Sequence, residues 1–285
     1  MNIINQFATF FKTHKKNYFL VVLFLFLNIF VYSQKEQKML NKAYKSQSTE
    51  KLKIFFETWS LENPSMTDAE LLTCSDTIQQ AYNLFIAFYK PGGKEFLITK
   101  NTIIIQFTEK ISCSEQDIID MLVQSKDSIT LKKIEQEDSK NILNEIVDSY
   151  LPGDNCRTHE ILLTHTITDF RPAFYSNGKT RLFLTKKYDE ILKQFLGLNE
   201  GSTISIEEKE KRKEFLEHYV AIYHYTHWGE YWQLYSYPTF SKILFDKDMK
   251  YAIIWSGGVG SGSELVFKRN GEIWEYVASR GSWTH

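Results

Sequence analysis

Apolar positions recur along this chain with two periods, and an unbroken apolar run precedes both. Residues 18–32 are apolar at every position but Asn28. Residues 34–49 are polar and rich in Lys, Gln and Ser, which reads as a flexible tether. Leu52, Phe55, Phe56 and Trp59 then recur at i, i+3, i+4 and i+7, one apolar helical face. Asn63-Pro64 ends that helix. Thr67 and Glu70 have the spacing of a capping box, and Leu71, Ile78, Tyr82, Phe85 and Tyr89 follow at helical spacing. Pro91-Gly92-Gly93 stops this second helix. Residues 96–99 and 102–107 read as strands joined by a turn at Lys100-Asn101, and Ile103-Ile104-Ile105 suggests burial on both faces. Residues 114–149 read as mostly helical and charged, with a short strand around 129–134.

The proline and glycine of 151–155 mark the expected boundary between two halves. Beyond it, 161–170 and 181–185 read as strands and 188–196 as a short helix. Ser205 and Glu208 form a second capping-box pattern, opening a helix with Phe215, Leu216, Tyr219, Ile222 and Tyr223 on one face. Residues 239–245, 251–256, 264–268 and 272–278 read as four short strands. Asn270-Gly271 between the last two is a strong hairpin signal. The expected fold is α+β: helices packed on antiparallel sheet, with a C-terminal four-stranded meander crossed by the helix that precedes it. The expected organisation is a leader over 1–33, a tether over 34–49, an N-terminal α+β region over 50–152 and a C-terminal α+β region over 153–285.

Charge changes the reading of the N-terminus. Lys12, Lys15 and Lys16 precede the apolar run and no acid does. The run, at about 15 residues, falls short of the ~20 that a spanning helix needs. Val31 and Ser33 stand before Gln34 where a signal peptidase accepts small or short side chains. The expectation is a cleaved secretory signal peptide and an exported protein, periplasmic or secreted, with no membrane association after cleavage. An uncleaved anchor is the alternative. Without residues 1–33 the chain is mildly acidic, which argues against a nucleic-acid partner. Cys74, Cys113 and Cys156 are widely spaced and form no C-x-x-C. One disulfide with a free thiol, and three free thiols, both fit.

The C-terminal half also carries a pattern of short aromatic motifs. His227-Trp228-Gly229-Glu230-Tyr231-Trp232 is followed by Ser236-Tyr237-Pro238, Phe245-Asp246-Lys247-Asp248, Gly271-Glu272-Ile273-Trp274 and Ser282-Trp283-Thr284. Asp169-Phe170-Arg171-Pro172 and the 55–59 segment fit the same pattern. It resembles a family of uncharacterised exported bacterial proteins, and that resemblance implies no activity. The order of helix and then strands is similar to a cystatin-like or nuclear-transport-factor-like half-barrel, an analogy of fold alone.

Candidate chemistry is sparse. His224 and His227 are close enough in helical angle to share a face with Glu230, whereas His218 points away, and there is no H-E-x-x-H. No metal site and no cofactor are expected. Cys156 with His159 is the one close Cys–His pair, and no G-x-S-x-G occurs. The glycines of 257–262 follow neither phosphate-loop template and read as a turn between strands. Trp228, Tyr231, Trp232, Tyr235 and Tyr237 are dense enough to form a platform for sugars or peptides, with core packing the plainer reading. Arg171 is placed to clamp a carboxylate, or to pair with Asp169 or Glu190. The expected site is a binding surface on the concave face of the meander, made by Trp228, Tyr231, Trp232 and Trp255 with Arg171 as an accessory cation. The expected function is non-catalytic binding of a glycan, a peptide or another exported protein. The alternative is a hydrolase of cell-envelope polymers using His224, His227 or Glu230.

Overall fold

The structure is a computed structural model describing residues 35–109, 111–112, 157–158, 161–225, 231–258 and 261–284. The expected leader and the helical reading of 114–149 lie outside them. The fold is α+β, and its contacts divide the chain into two compact units. The division does not fall at 152–153. One unit joins the chain up to Trp59 with Lys186–His218, and the other joins Ser60–Thr185 with Tyr219–His285. A boundary read from turn residues assumes that each half is continuous in sequence, and here each unit takes two separate pieces.

The first unit is helical. It contains α1 (35–45), most of α2 (Thr49–Glu62), α5 (Lys186–Leu196) and α6 (Ile206–Leu216). Residues 35–45 are therefore a helix and not a tether. Leu40 and Ala43 are fully buried and give α1 an apolar face that its lysines hide in the sequence. Leu52, Phe55, Phe56 and Trp59 are the buried face of α2, as the spacing predicts. The Trp59 ring stacks on Tyr188 of α5 at 4.3 Å and 4°. Tyr44 meets Phe195 and Phe215 edge-on, both at 5.4 Å. Ser205 caps α6 by accepting from the Glu208 N–H. That helix stops at Leu216, so Tyr219, Ile222 and Tyr223 do not continue its face.

The second unit is built on a six-stranded sheet. Its members are β2 (Ile103–Thr108), β5 (Ile161–Ile167), β9 (Thr239–Asp246), β10 (Tyr251–Gly258), β11 (Ser261–Asn270) and β12 (Ile273–Thr284). Their order is β12-β11-β10-β9-β2-β5, and every pairing is antiparallel except β2 with β9. The C-terminal four-stranded meander is present. Asn270 pairs with Ile273 across its last turn, where Gly271 takes the left-handed φ of 63° that a side chain would resist.

The helix covering this sheet is not the one that precedes the meander. It is α4 (Asp76–Phe88), which follows the short α3 (Asp68–Leu71) and its complete Thr67–Glu70 capping box. Ala81, Tyr82, Leu84 and Phe85 of α4 share one core with Ile103, Ile105, Ile243, Phe245, Ile254, Phe267 and Trp274. Ile104, between two buried isoleucines, is 37% exposed, so β2 alternates where its composition suggests burial on both sides. Nor is β2 the hairpin partner of β1 (Phe96–Lys100). The latter pairs in parallel with β6 (Thr180–Leu184). β3 (Ile111–Ser112) with β4 (Arg157–Thr158), and β7 (Tyr223–Tyr225) with β8 (Tyr231–Gln233), form two further two-stranded ladders. Among the described residues no helix is long and apolar enough to cross a membrane.

Candidate functional site

The described residues of the aromatic-rich segment do not form one platform. In the β7–β8 ladder Tyr223 faces Gln233, His224 faces Trp232 and Tyr225 faces Tyr231. Successive strand residues point to opposite faces, so Tyr231 and Trp232 part company. Trp232 lies against His224, with ring centroids 4.0 Å apart and planes at 17°. The opposite face carries the tyrosines. Tyr225 lies nearly parallel to Tyr223 at 6.4 Å and to Tyr231 at 6.2 Å, and Tyr237 tilts against Tyr223 at 4.6 Å.

The strip is tied to the body through the chain that follows β8. Leu234 and Ser236 are buried and alternate with the half-buried Tyr235 and Tyr237. Ser236 N–H donates to the Ile98 carbonyl at 2.8 Å, and its hydroxyl accepts from Ile98 N–H at 3.2 Å. Gly92 N–H donates to the Tyr237 carbonyl at 2.8 Å. The phenols are thus held in register over β1.

Two hydroxyl pairs run across this tyrosine face. Tyr225 and Tyr237 share a hydrogen bond of 2.6 Å, and Tyr231 and Tyr235 one of 3.2 Å. The Lys100 ammonium sits 4.5 Å above the Tyr235 ring centre, within cation–π range. Partial burial, then the bond to Tyr235, pushes the Tyr231 phenol up to about 12. Burial and the bond to Tyr225 raise Tyr237 further. Tyr231 and Tyr237 are therefore neutral at physiological pH, and the face offers apolar rings with hydroxyl donors and acceptors at their edges. Tyr231, 48% exposed, is its outermost member.

The other expected residues fall elsewhere. Trp255 is on β10 in the six-stranded sheet, partly buried against Leu244, Ile253 and Val266, with the Lys242 ammonium 3.9 Å above its ring centre. Arg171 is committed to the fold. Its Nε and Nη2 fork onto the two Asp169 oxygens at 2.8 and 3.0 Å, and Nη1 donates to the Pro64 carbonyl at 2.6 Å. The Asp169 bond raises its pKa. Trp228, His227, Glu230, Cys113, Cys156 and His159 lie outside the described residues. His218 is just past α6, where its Nδ1 lies 3.0 Å from the Phe215 carbonyl oxygen. His224 is on a strand and not on a helix, so the helical-angle argument for the histidines does not apply. Cys74 is a free thiol. Among the described residues no group of three or more His, Cys, Asp or Glu is placed to hold a metal ion.

Tyr223, Tyr225 and Lys100 are the residues that sequence reasoning missed. The signal was present: Tyr-His-Tyr at 223–225 alternates with the period of a strand. Comparison of the chain with protein-family models, with curated proteins and with solved structures gave no match. The aromatic segment is accordingly read on its own chemistry.

Proposed function

We propose that this chain is an exported, periplasmic or secreted binding protein without catalysis, and that its ligand docks on the tyrosine face of the β7–β8 ladder. The supporting observation is a cluster of phenols, three of them near-parallel and four of them hydrogen-bonded in pairs, with a half-exposed Tyr231 at its rim. Such rings bind the apolar face of a sugar or a peptide side chain, while their hydroxyls meet its polar edge. A glycan or a peptide is therefore the ligand class. Of the residues that the hydrolase alternative would use, His224 stacks on Trp232, and His227 and Glu230 lie outside the described residues.

The test is a ligand-observed NMR screen of soluble envelope-type oligosaccharides and short peptides against the protein as producing cells deliver it. Saturation transfer to at least one class, lost in Tyr231→Ala with the circular dichroism spectrum unchanged, supports the reading. No transfer from either class, or transfer untouched by Tyr231→Ala and Tyr235→Ala, overturns it.

A further inference from the structure

Helix α1 presents a second surface of different chemistry. Lys38, Lys42 and Lys45 stand at i, i+4 and i+7. At 100° per residue these three fall within about 60° of arc and along about 10 Å of axis. Lys51, from the first turn of α2, completes an open groove of about 450 Å³ whose other lining residues are Asn41 and Ser46. No acid lines it. All four lysines are exposed, and among the described residues none of them has an ion-pair partner. The one hydrogen bond made by these ammonium groups runs from Lys51 to the Ser46 hydroxyl at 3.2 Å.

The contrast with α6 in the same unit sharpens the point. There Lys211 pairs with Glu207 at 2.6 Å, Arg212 with Glu208 at 2.8 Å, and Lys213 with Glu210 and Glu217 at 3.6 and 3.4 Å. The single acid of α1, Glu36, is buried and pairs with Lys187 at 3.3 Å. One helix neutralises its cations locally and the other leaves a stripe of them uncompensated.

We infer that this lysine groove docks α1 on a lipid surface bearing anionic headgroups. Two features favour a surface over a small soluble anion. The groove is open and offers flexible point charges, with no buried donor to fix one ligand geometry. It also lies next to the apolar run 18–32. Two residues, Ser33 and Gln34, separate the end of that run from the start of α1, three chain steps that reach about 10 Å when extended. The inference takes the uncleaved-anchor alternative: with the run kept in a bilayer, the first turn of α1 is held close to a Debye length (about 8 Å at physiological salt) from the headgroups. Neutralising lysines beside an apolar segment is what anionic lipids do for juxtamembrane basic stretches. The inference is independent of the tyrosine surface, and the stripe acts on whichever side of the membrane the body lies.

The test is vesicle flotation of the full chain with neutral and with anionic vesicles, at low and high salt. The apolar run binds both kinds alike, so the readout is the ratio between them. Each near-surface lysine multiplies binding about fivefold. The K38Q/K42Q/K45Q/K51Q variant should therefore lose anionic preference by at least roughly tenfold and keep its neutral-vesicle binding and melting temperature. The matching arginine variant should retain the preference, and high salt should erase it in the parent. Equal binding of the parent to both vesicles overturns the inference. A preference that survives in the glutamine variant also overturns it and assigns the effect to Lys12, Lys15 and Lys16. Binding of soluble polyphosphate that the glutamine variant loses, without any vesicle preference, overturns it in favour of a free polyanion.

Discussion

Trp274 and Gln80 make the most informative stability probe in this fold. The indole N–H donates to the Gln80 side-chain oxygen at 3.2 Å, joining β12 to α4. Both residues are buried, Trp274 at 4% and Gln80 at 2% exposure. The bond therefore sits where neither group has water as a substitute. Gln80→Met keeps the volume and strands the indole N–H, at a cost of about 1–3 kcal/mol. Trp274→Phe strands the amide oxygen at a similar cost and adds a cavity from the lost ring. In the double variant neither polar group is left waiting for the other. The second substitution should then cost about 1–2 kcal/mol less than it does alone. Urea unfolding followed by far-ultraviolet circular dichroism measures all four proteins. Because the chain has two units, amide exchange in α4 and β12 should accompany it to confirm that the loss is local. For a chain of this size each 1 kcal/mol is about 2–4 °C in melting temperature. Additive single costs would refute the reasoning, since they would mean that the two groups do not depend on each other.

Four further outcomes follow from single contacts. Asp246 is buried and accepts from the Lys250 and Tyr251 N–H groups at 2.7 and 3.1 Å, and burial raises its pKa above the ordinary aspartate value of 3.8 despite those bonds. The folded state then holds the proton more tightly than the unfolded one, so Asp246→Asn, which keeps the acceptor, should be neutral or stabilising at pH 7. That advantage should shrink as pH falls through the raised value towards 3.8; an advantage that grows on acidification refutes it. A side chain at Gly257 would place its Cβ 2.5 Å from the Thr239 hydroxyl oxygen. Gly257→Ala should therefore lower the melting temperature, and Thr239→Ala should rescue part of the loss. Arg171→Lys breaks the fork on Asp169 and should cost about 1 kcal/mol by urea unfolding, whereas no change would make that pair ornamental. In an absorbance titration, Tyr231→Phe should match the parent near pH 10 and lose a phenolate only near 12.

What was legible in the sequence followed from local chemistry. The α2 face, the Thr67–Glu70 box and the last hairpin each depend on residues a few positions apart, and each is where the pattern puts it. Pairing between distant strands was not legible. Nothing local says that β1 runs parallel to β6, about 80 residues on, or that β2 lies between β5 and β9. Two adjacent strand-like runs with a turn between them look like a hairpin, and only the hydrophobic match of Ile105 with Ile243 and Phe245 against α4 decides otherwise. The tether over 34–49 failed for a related reason. A polar, lysine-rich stretch reads as disordered unless its few apolar residues have a partner, and Phe195 and Phe215, the partners of Tyr44, lie far along the chain.

The aromatic segment shows the same limit at the level of function. Its composition correctly marked where polar aromatics accumulate, but a period error changed what they could do. Read as the end of a helix, Tyr223 belongs to a core stripe, and Tyr231 and Trp232 lie on neighbouring parts of one surface. Read as two short strands, Tyr231 joins Tyr223 and Tyr225 on one face while Trp232 turns to His224 on the other. Trp255, though aromatic and near in sequence, belongs to a sheet where Lys242 covers it. Ligand contact is thereby proposed for the phenols and not for Trp232 or Trp255. A tyrosine surface differs from a tryptophan one in a way that can be measured: it adds hydroxyls that must exchange hydrogen bonds with the ligand. Tyr225 and Tyr237 already satisfy each other at 2.6 Å. The longer Tyr231–Tyr235 pair, at 3.2 Å and at the rim, is the one that a ligand can open at least cost. Tyr231→Phe should therefore weaken binding more than Tyr225→Phe, and the reverse order in the same titration would move the docking point inward to the shorter pair.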